Sequence, residues 1–158
     1  MPSLRYNRHS DATAMRIYMD NCCFNRPFDS QAQLRVRLET EAKLRIQERV
    51  VAGEIELAWS YILDYENAAN PFEEKRAAVS LWKRRAVVDV IETPEILENA
   101  KSLFTLGIRS KDALHVACAV EAGCAYFLTT DDTLLKRLSR YTRIVAVDPT
   151  AFVRSTEP

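Results

Sequence analysis

The chain has 158 residues, 47% of them hydrophobic, which suits one globular domain with a real core. Lys+Arg and Asp+Glu both number 22, so the formal net charge is zero. That argues against a protein that coats nucleic acid through an overall basic surface, although a local patch can still hold a strand. No apolar run approaches the ~20 residues of a membrane span, the longest, residues 113–128, being broken by His115, Glu121 and Gly123.

The first segment, MPSLRYNRHSDATA, is polar and lacks the apolar centre of a secretory leader. Met15 offers a second start, and residues 1–15 read as an extension. Arg16 to Asp20 reads as a strand that ends, unusually, in an acid. A loop with Pro27 follows, and Ser30 with Gln33 forms a capping-box pattern that should open a helix. Leu34, Leu38, Ala42, Ile46 and Val50 mark its apolar stripe, Glu39/Lys43 and Glu41/Arg45 form i,i+4 pairs on its wet side, and Gly53 stops it. EIELAWS, Glu54–Ser60, alternates as a second strand, and the chain turns helical after Ser60 until Pro71. FEEKRAAVSLWKR is amphipathic, and residues 86–91 form a third strand. Thr93-Pro94 is an N-cap followed by Pro at the first helical position, and that helix runs to Gly107. Ser110 caps KDALHVACAVEAG, which is apolar nearly all round and therefore buried. CAYFLTT is a fourth strand, DDTLLKRLSR a short helix, and TRIVAV a fifth strand.

Strands alternating with helices predict an α/β protein of three layers, with a central parallel sheet of four or five strands flanked by helices. There is no repeat, low-complexity tract or linker, so residues 16–153 read as one domain. Cys22, Cys23, Cys118 and Cys124 form no CxxC pair, and with only two His residues no finger-like zinc site is available. Reduced thiols in a cytoplasmic protein are the plain reading.

In open parallel sheets, ligands bind beyond the carboxyl ends of the strands. Asp20 and Asp131 fall there, Glu66 lies six residues past Ser60, and Asp112 lies in the first turn of the buried helix. Singly each has an ordinary explanation: a turn former, an N-cap, a helix-dipole partner, a solvated surface group. Together they repel. At ~5 Å and an effective dielectric near ~20, each close pair costs about 3 kcal/mol. A hard divalent cation, Mg²⁺ or Mn²⁺, gives a reason to assemble them, and such an ion activates water and stabilises a phosphodiester transition state. Three glycines in the whole chain leave no phosphate-cradling loop.

The motifs YMD, SYILDYE, KDALHVACA and FLTTDD, in that order, resemble the PIN-domain nucleases over roughly Arg16 to Val153. The resemblance implies that Asp20, Glu66, Asp112 and Asp131 form an acidic site, with Asp20, Asp112 and Asp131 on the metal. It implies Mg²⁺- or Mn²⁺-dependent cleavage of single-stranded RNA, and for many bacterial members a VapC-type toxin held by an antitoxin. Two registers of TTDD stay open, Asp131 or Asp132, and Leu134 and Leu135 favour Asp131. The segment NCCFNRPFD and the long helix after it are bulkier than a minimal toxin of the family.

Asn21 is placed to hold Asp20 or substrate, and the paired cysteines read as small apolar fillers. Arg26 and Lys111 either grip a phosphate or solvate their loops, and Lys83–Arg85 reads as a solvated face before a strand, with RNA binding as the second reading. His115 shares a helix face with Asp112 and reads as packed or as supporting an acid. Leu81, Trp82 and the apolar stripe of residues 31–52 offer more apolar surface than a thin sheet needs, which predicts a homodimer. A haloacid-dehalogenase-like phosphatase needs a second Asp where Cys22 stands, and a phospho-receiver needs a late Lys that FLTTDD does not supply. A PIN-like scaffold used only as a binding module is the alternative function.

Overall fold

The computed structural model describes residues 14–158; nearly all of the extension expected at residues 1–15 lies outside them. Among the described residues, five strands form one parallel sheet: β1 (Met15–Met19), β2 (Ile55–Ser60), β3 (Val88–Val90), β4 (Tyr126–Leu128) and β5 (Val145–Val147). The sheet order is β3-β2-β1-β4-β5. The chain therefore builds outward from β1 in one direction, then returns to add β4 on its other side. That reversal creates a switch point between the carboxyl ends of β1 and β4, where open α/β sheets bind ligands.

Eight α-helices among the described residues cover the sheet: α1 (Asn21–Asn25), α2 (Leu34–Val51), α3 (Tyr61–Ala68), α4 (Glu73–Lys83), α5 (Pro94–Phe104), α6 (Ser110–Glu121), α7 (Asp132–Arg137) and α8 (Pro149–Thr156). Ile17, Tyr18 and Met19 are all sealed from solvent, as are Ala58, Trp59 and Ser60. Coverage of both faces explains why β1 and the end of β2 do not alternate between core and water. Gly53 and Gly107, each at φ +77°, terminate α2 and α5 in the left-handed conformation that a Cβ disfavours.

Several local expectations give way to tertiary contacts. The segment after β1 is helical, forming α1 and a 3₁₀ turn at Arg26–Phe28. The Ser30/Gln33 capping box does not form: α2 starts at Leu34, with Gln33 as an N-cap that makes no side-chain hydrogen bond. Leu34 and Leu38 are exposed, and the buried face of α2 carries Glu39, Lys43 and Gln47 beside Ala42, Ile46 and Val50. The expected Glu39/Lys43 pair on a wet face is absent. Glu39 is instead buried and bound by Arg26 (3.2 Å) and Arg35 (2.7 Å), while Lys43 lies near the rings of Phe24 and Trp82. Arg45 pairs with Glu48 and Glu157 instead of Glu41. Ser110 is the first residue of α6 and not its cap; Arg109 holds the N-cap position without a side-chain bond. The helix α8 follows β5, capped by Asp148.

Candidate active site at the carboxyl edge of the sheet

Asp20 is the residue at which β1 becomes α1. Its N–H donates to Leu128 O at 2.8 Å, extending the β1–β4 pairing by one step. One carboxylate oxygen, Oδ1, accepts the Asn21 N–H (2.7 Å), and Oδ2 accepts the Thr129 hydroxyl (2.9 Å). The same Thr129 oxygen accepts the Asp131 N–H at 3.2 Å, so one hydroxyl ties the ends of β1 and β4 together. Asp20 is 7% exposed. It caps a helix, and it also points its carboxylate into the switch point.

Glu66 lies on α3, which begins where Ser60 ends β2 and caps the new helix through the Leu63 N–H (3.4 Å). Its Oε1 accepts the Nε2–H of His115 at 2.5 Å, and His115 Nε2 lies 3.7 Å from Asp20 Oδ1. His115 is wholly buried on α6. Its Nδ1 is 2.6 Å from the Tyr18 hydroxyl, which is 2.6 Å from Ser60 Oγ. Burial opposes the imidazolium, but the hydrogen bond to Glu66 and the charges of Asp20 and Glu66 outweigh it and raise the His115 pKa. Burial also keeps the Tyr18 phenol protonated, its pKa raised well above the usual value. An imidazolium here donates to Glu66 and to Tyr18, and Tyr18 donates to Ser60. Burial opposes the Glu66 charge as well, yet the bond from His115 holds its carboxyl below the usual value, so Glu66 is ionised.

Asp112 sits half-buried in the first turn of α6. Burial first, and then the negative charge of Asp20, push its carboxyl above the ordinary range, with Asp131 and Glu66 acting in the same sense. Asp131 caps α7 by accepting the Leu134 N–H (3.1 Å). Asp112 and Asp131 face a common pocket of about 190 Å³ that Arg109 and Arg137 also line. Ligand atoms of Asp20, Glu66 and His115 lie within 4.8 Å of one another. The sheet edge thus brings Asp20 and Glu66 together around His115, and places Asp112 and Asp131 together in the adjoining pocket. Asp132 turns away: both its oxygens accept from Arg35, at 2.6 and 2.7 Å.

The donor set suits a hard cation, since the free lone pairs are carboxylate oxygens and both His115 nitrogens are already engaged. The side-chain oxygen Oδ1 of Asn21 is buried beside Asp20 with no hydrogen-bond partner among the described residues. A buried acceptor left bare is costly, and a hydrated cation held by the neighbouring acids would offer it a partner. The residues therefore fit Mg²⁺ or Mn²⁺.

The basic candidates separate. Arg26 is committed to Asp29 and Glu39, and Lys83 to Asp64 and Asp89. Lys111 lies over the Tyr65 ring at 5.5 Å, close enough to Glu66 to help hold it ionised. Tyr18 and Thr129 stand inside the motifs YMD and FLTTDD, but their bonds to His115 and to Asp20 were not read from them. Tyr18 carried a signal, because it lies two residues before Asp20 and so faces the same side of the strand. Cys22 is not a mere filler: its Sγ lies 3.4 Å from Thr129 Oγ1 and accepts the Thr130 N–H at 3.4 Å.

A family model described as PIN domain matches residues 17–141. Among solved structures, the fold is similar to VapBC-1 from nontypeable Haemophilus influenzae, with TM-score 0.57 and 16% identity over 86% of this chain and 99% of that one. It is also similar to VapBC2 from Rickettsia felis bound to a DNA fragment from their promoter (TM-score 0.57, 14% identity, 85% and 98% coverage). DNA-bound VapBC from Salmonella typhimurium gives TM-score 0.54 and 15% identity, covering 85% of this chain and 98% of that one. At these identities the likeness is one of fold. No curated protein sequence matches.

Proposed function

The chain belongs to the PIN-domain family, and from that premise we propose that it is a metal-dependent endoribonuclease that cleaves single-stranded RNA as the toxin of a toxin–antitoxin pair. The observation that carries this reading is the placement of the acids: ligand atoms of Asp20, Glu66 and His115 lie within 4.8 Å of one another at the carboxyl edge of the sheet, and Asp112 and Asp131 line one pocket. Carboxylates gathered at a ligand-binding edge repel one another, and a bound cation would balance them.

Asp20, Asp112 and Asp131 would hold Mg²⁺ or Mn²⁺. When bound, the ion supplies positive charge to the phosphodiester transition state and makes a water acidic enough to attack at neutral pH. The protein's own groups do the rest. Glu66, ionised and clamped by His115, orients the attacking water and forms no covalent bond. Arg109 and Arg137 in the adjoining pocket bind the phosphate oxygens on either side of the scissile bond. Water adds to phosphorus as the P–O bond to one ribose breaks, and the departing oxygen leaves as a hydroxyl.

The fold likeness to VapBC structures, two of them bound to DNA, supports an antitoxin partner. No helix among the described residues is long and apolar enough to cross a membrane, and the buried thiols agree with a reducing cytoplasm. Exposed Leu34, Leu38 and Leu81 support a homodimer. We take residues 16–153 as the nuclease domain.

The test is cleavage of a labelled RNA with Mn²⁺, with and without EDTA, repeated with Asp20→Asn. Cleavage that needs the metal and is lost in the variant is expected. RNA binding without any cleavage favours the binding-module alternative, and cleavage undiminished by excess EDTA overturns the metal mechanism.

A further inference from the structure

A second pocket of about 350 Å³ lies between α1 and the start of α4 and shares no lining residue with the one at Arg109 and Arg137. Asn21 and Glu66 line it, so it opens directly onto the acidic site. Its outer walls are two phenyl rings that the fold leaves in solvent, Phe28 at 40% and Phe72 at 58% exposure. The Lys75 ammonium stands 4.4 Å from the Phe72 ring centre and 5.8 Å from that of Phe28. Among the described residues Lys75 pairs with no carboxylate.

The floor carries two carboxamides. Asn70 Oδ1 accepts the Phe72 N–H at 3.0 Å, which anchors the backbone that carries the ring, and Asn70 Nδ2 donates to Asn25 Oδ1 at 3.4 Å. Asn25 Nδ2 donates to Asn21 O at 3.0 Å. Each amide nitrogen has two hydrogens, so Asn25 and Asn70 each keep one N–H uncommitted among these bonds. No Leu, Ile, Val or Met lines the pocket. A groove for a partner helix presents a continuous apolar surface, whereas here the two rings are interrupted by carboxamides, a lysine and the carboxylates of Asp29 and Glu66. This one offers an aromatic face, donors for an edge and a cation, which is what an unstacked base and its phosphate require.

We propose that this pocket is a base subsite: a nucleobase of single-stranded RNA stacks on Phe72, its edge is read by Asn25 and Asn70, and Lys75 swings from the ring to the neighbouring phosphate. The proposal rests on the RNA-cleaving reading for its substrate class. It gives the strand a course, with phosphates on the Arg109/Arg137 side and a base held on the Phe72 side of the same acids.

The experiment measures binding of a fluorescent single-stranded RNA to the full chain in EDTA, where cleavage does not interfere. The proteins are wild type, Phe72→Leu, which keeps apolar bulk without an aromatic face, and Phe72→Tyr, which keeps the face. Phe72→Leu is expected to weaken binding about 10-fold, and Phe72→Tyr to stay near wild type. An RNA of the same length with abasic residues should bind wild type and Phe72→Leu equally. Equal affinity of wild type and Phe72→Leu for the normal RNA overturns the subsite and leaves the pocket to a protein contact. An equal loss for both RNAs overturns it in favour of packing, and absence of RNA binding by wild type overturns it outright. Cleavage by wild type with Mn²⁺ is scored separately: tight, Phe72-dependent binding without cleavage supports the subsite and rejects the nuclease reading, while cleavage with unchanged KM in Phe72→Leu does the reverse.

Discussion

The hydroxyl of Thr129 donates to Asp20 Oδ2 at 2.9 Å while accepting the Asp131 N–H at 3.2 Å, so one side chain sets the spacing of two acids from different strands. Thr129 is fully buried, and water cannot replace it. Thr129→Val keeps the shape and removes both bonds. It should cost about 1–3 kcal/mol, the desolvation of the groups left bare, measured by urea denaturation. It should also loosen Asp20, so that Mn²⁺ affinity falls although no ligand is removed.

The legible parts of this site were those that punctuation places. Ser60 ends β2 and caps α3, which fixes Glu66 about a turn and a half into the helix, and Asp131 caps α7 as the Leu134/Leu135 pattern required. The helix α8 was not expected, although Asp148-Pro149 carries the same N-cap and proline signal as Thr93-Pro94. By contrast, α1 has five residues, too few to show a period. The orientation of α2 was hidden because its buried face is set by Glu39 meeting Arg26, and by Lys43 meeting Phe24 and Trp82. Those contacts join distant elements, and the i,i+3/i+4 rhythm of one helix does not contain them.

Lys43 makes a stability prediction. Burial lowers its pKa to about 8, against ~10.4 in an unfolded chain. The unfolded state therefore holds the proton more tightly. The penalty is fully present below pH about 8 and disappears as pH rises to about 10.4. It amounts to about 3 kcal/mol at neutral pH, part of which contact with the Phe24 and Trp82 rings offsets. Lys43→Met should be more stable than wild type by about 1–2 kcal/mol at pH 7, and the gap should close by pH 10. Buried Cys23, Cys118 and Cys124 titrate in both proteins, so the comparison is the difference between the two denaturation midpoints and not either curve alone. A gap that widens with pH contradicts the assignment.

Arg109 and Lys83 should behave oppositely toward RNA. Lys83 is 2.9 Å from Asp64 and 3.6 Å from Asp89, so its charge is already balanced. Arg109 lines the pocket with Asp112 and Asp131 and pairs with no carboxylate among the described residues. If it holds a phosphate, Arg109→Ala should reduce the slope of log K against log salt by about 1. Lys83→Ala should leave the slope unchanged and shift stability by less than about 0.5 kcal/mol. Titration of a single-stranded RNA at three salt concentrations decides between them.

The acidic cluster predicts opposite effects of one substitution with and without metal. In the metal-free protein, Asp20 raises the Asp112 pKa by charge alone, after burial has done its part. Asp20→Asn removes that repulsion and keeps one acceptor: its amide oxygen still accepts the Asn21 N–H, while its NH2 replaces Oδ2 and donates to the Thr129 hydroxyl, which turns to accept. The variant should therefore match or exceed wild-type stability in EDTA, by up to about 1 kcal/mol. Mn²⁺ reverses the order. A ligand that binds only the folded state stabilises by RT ln(1 + [L]/Kd), about 2.7 kcal/mol at 100-fold excess over Kd. Wild type should gain that increment, and Asp20→Asn and Asp112→Asn should gain little. Their cleavage activity should fall with the lost increment, because the same ligands serve affinity and rate. The measurement is a thermal melt of the three proteins in EDTA and in rising Mn²⁺. A wild-type melting temperature that Mn²⁺ does not move, or an equal rise in all three, removes Asp20 and Asp112 from the metal.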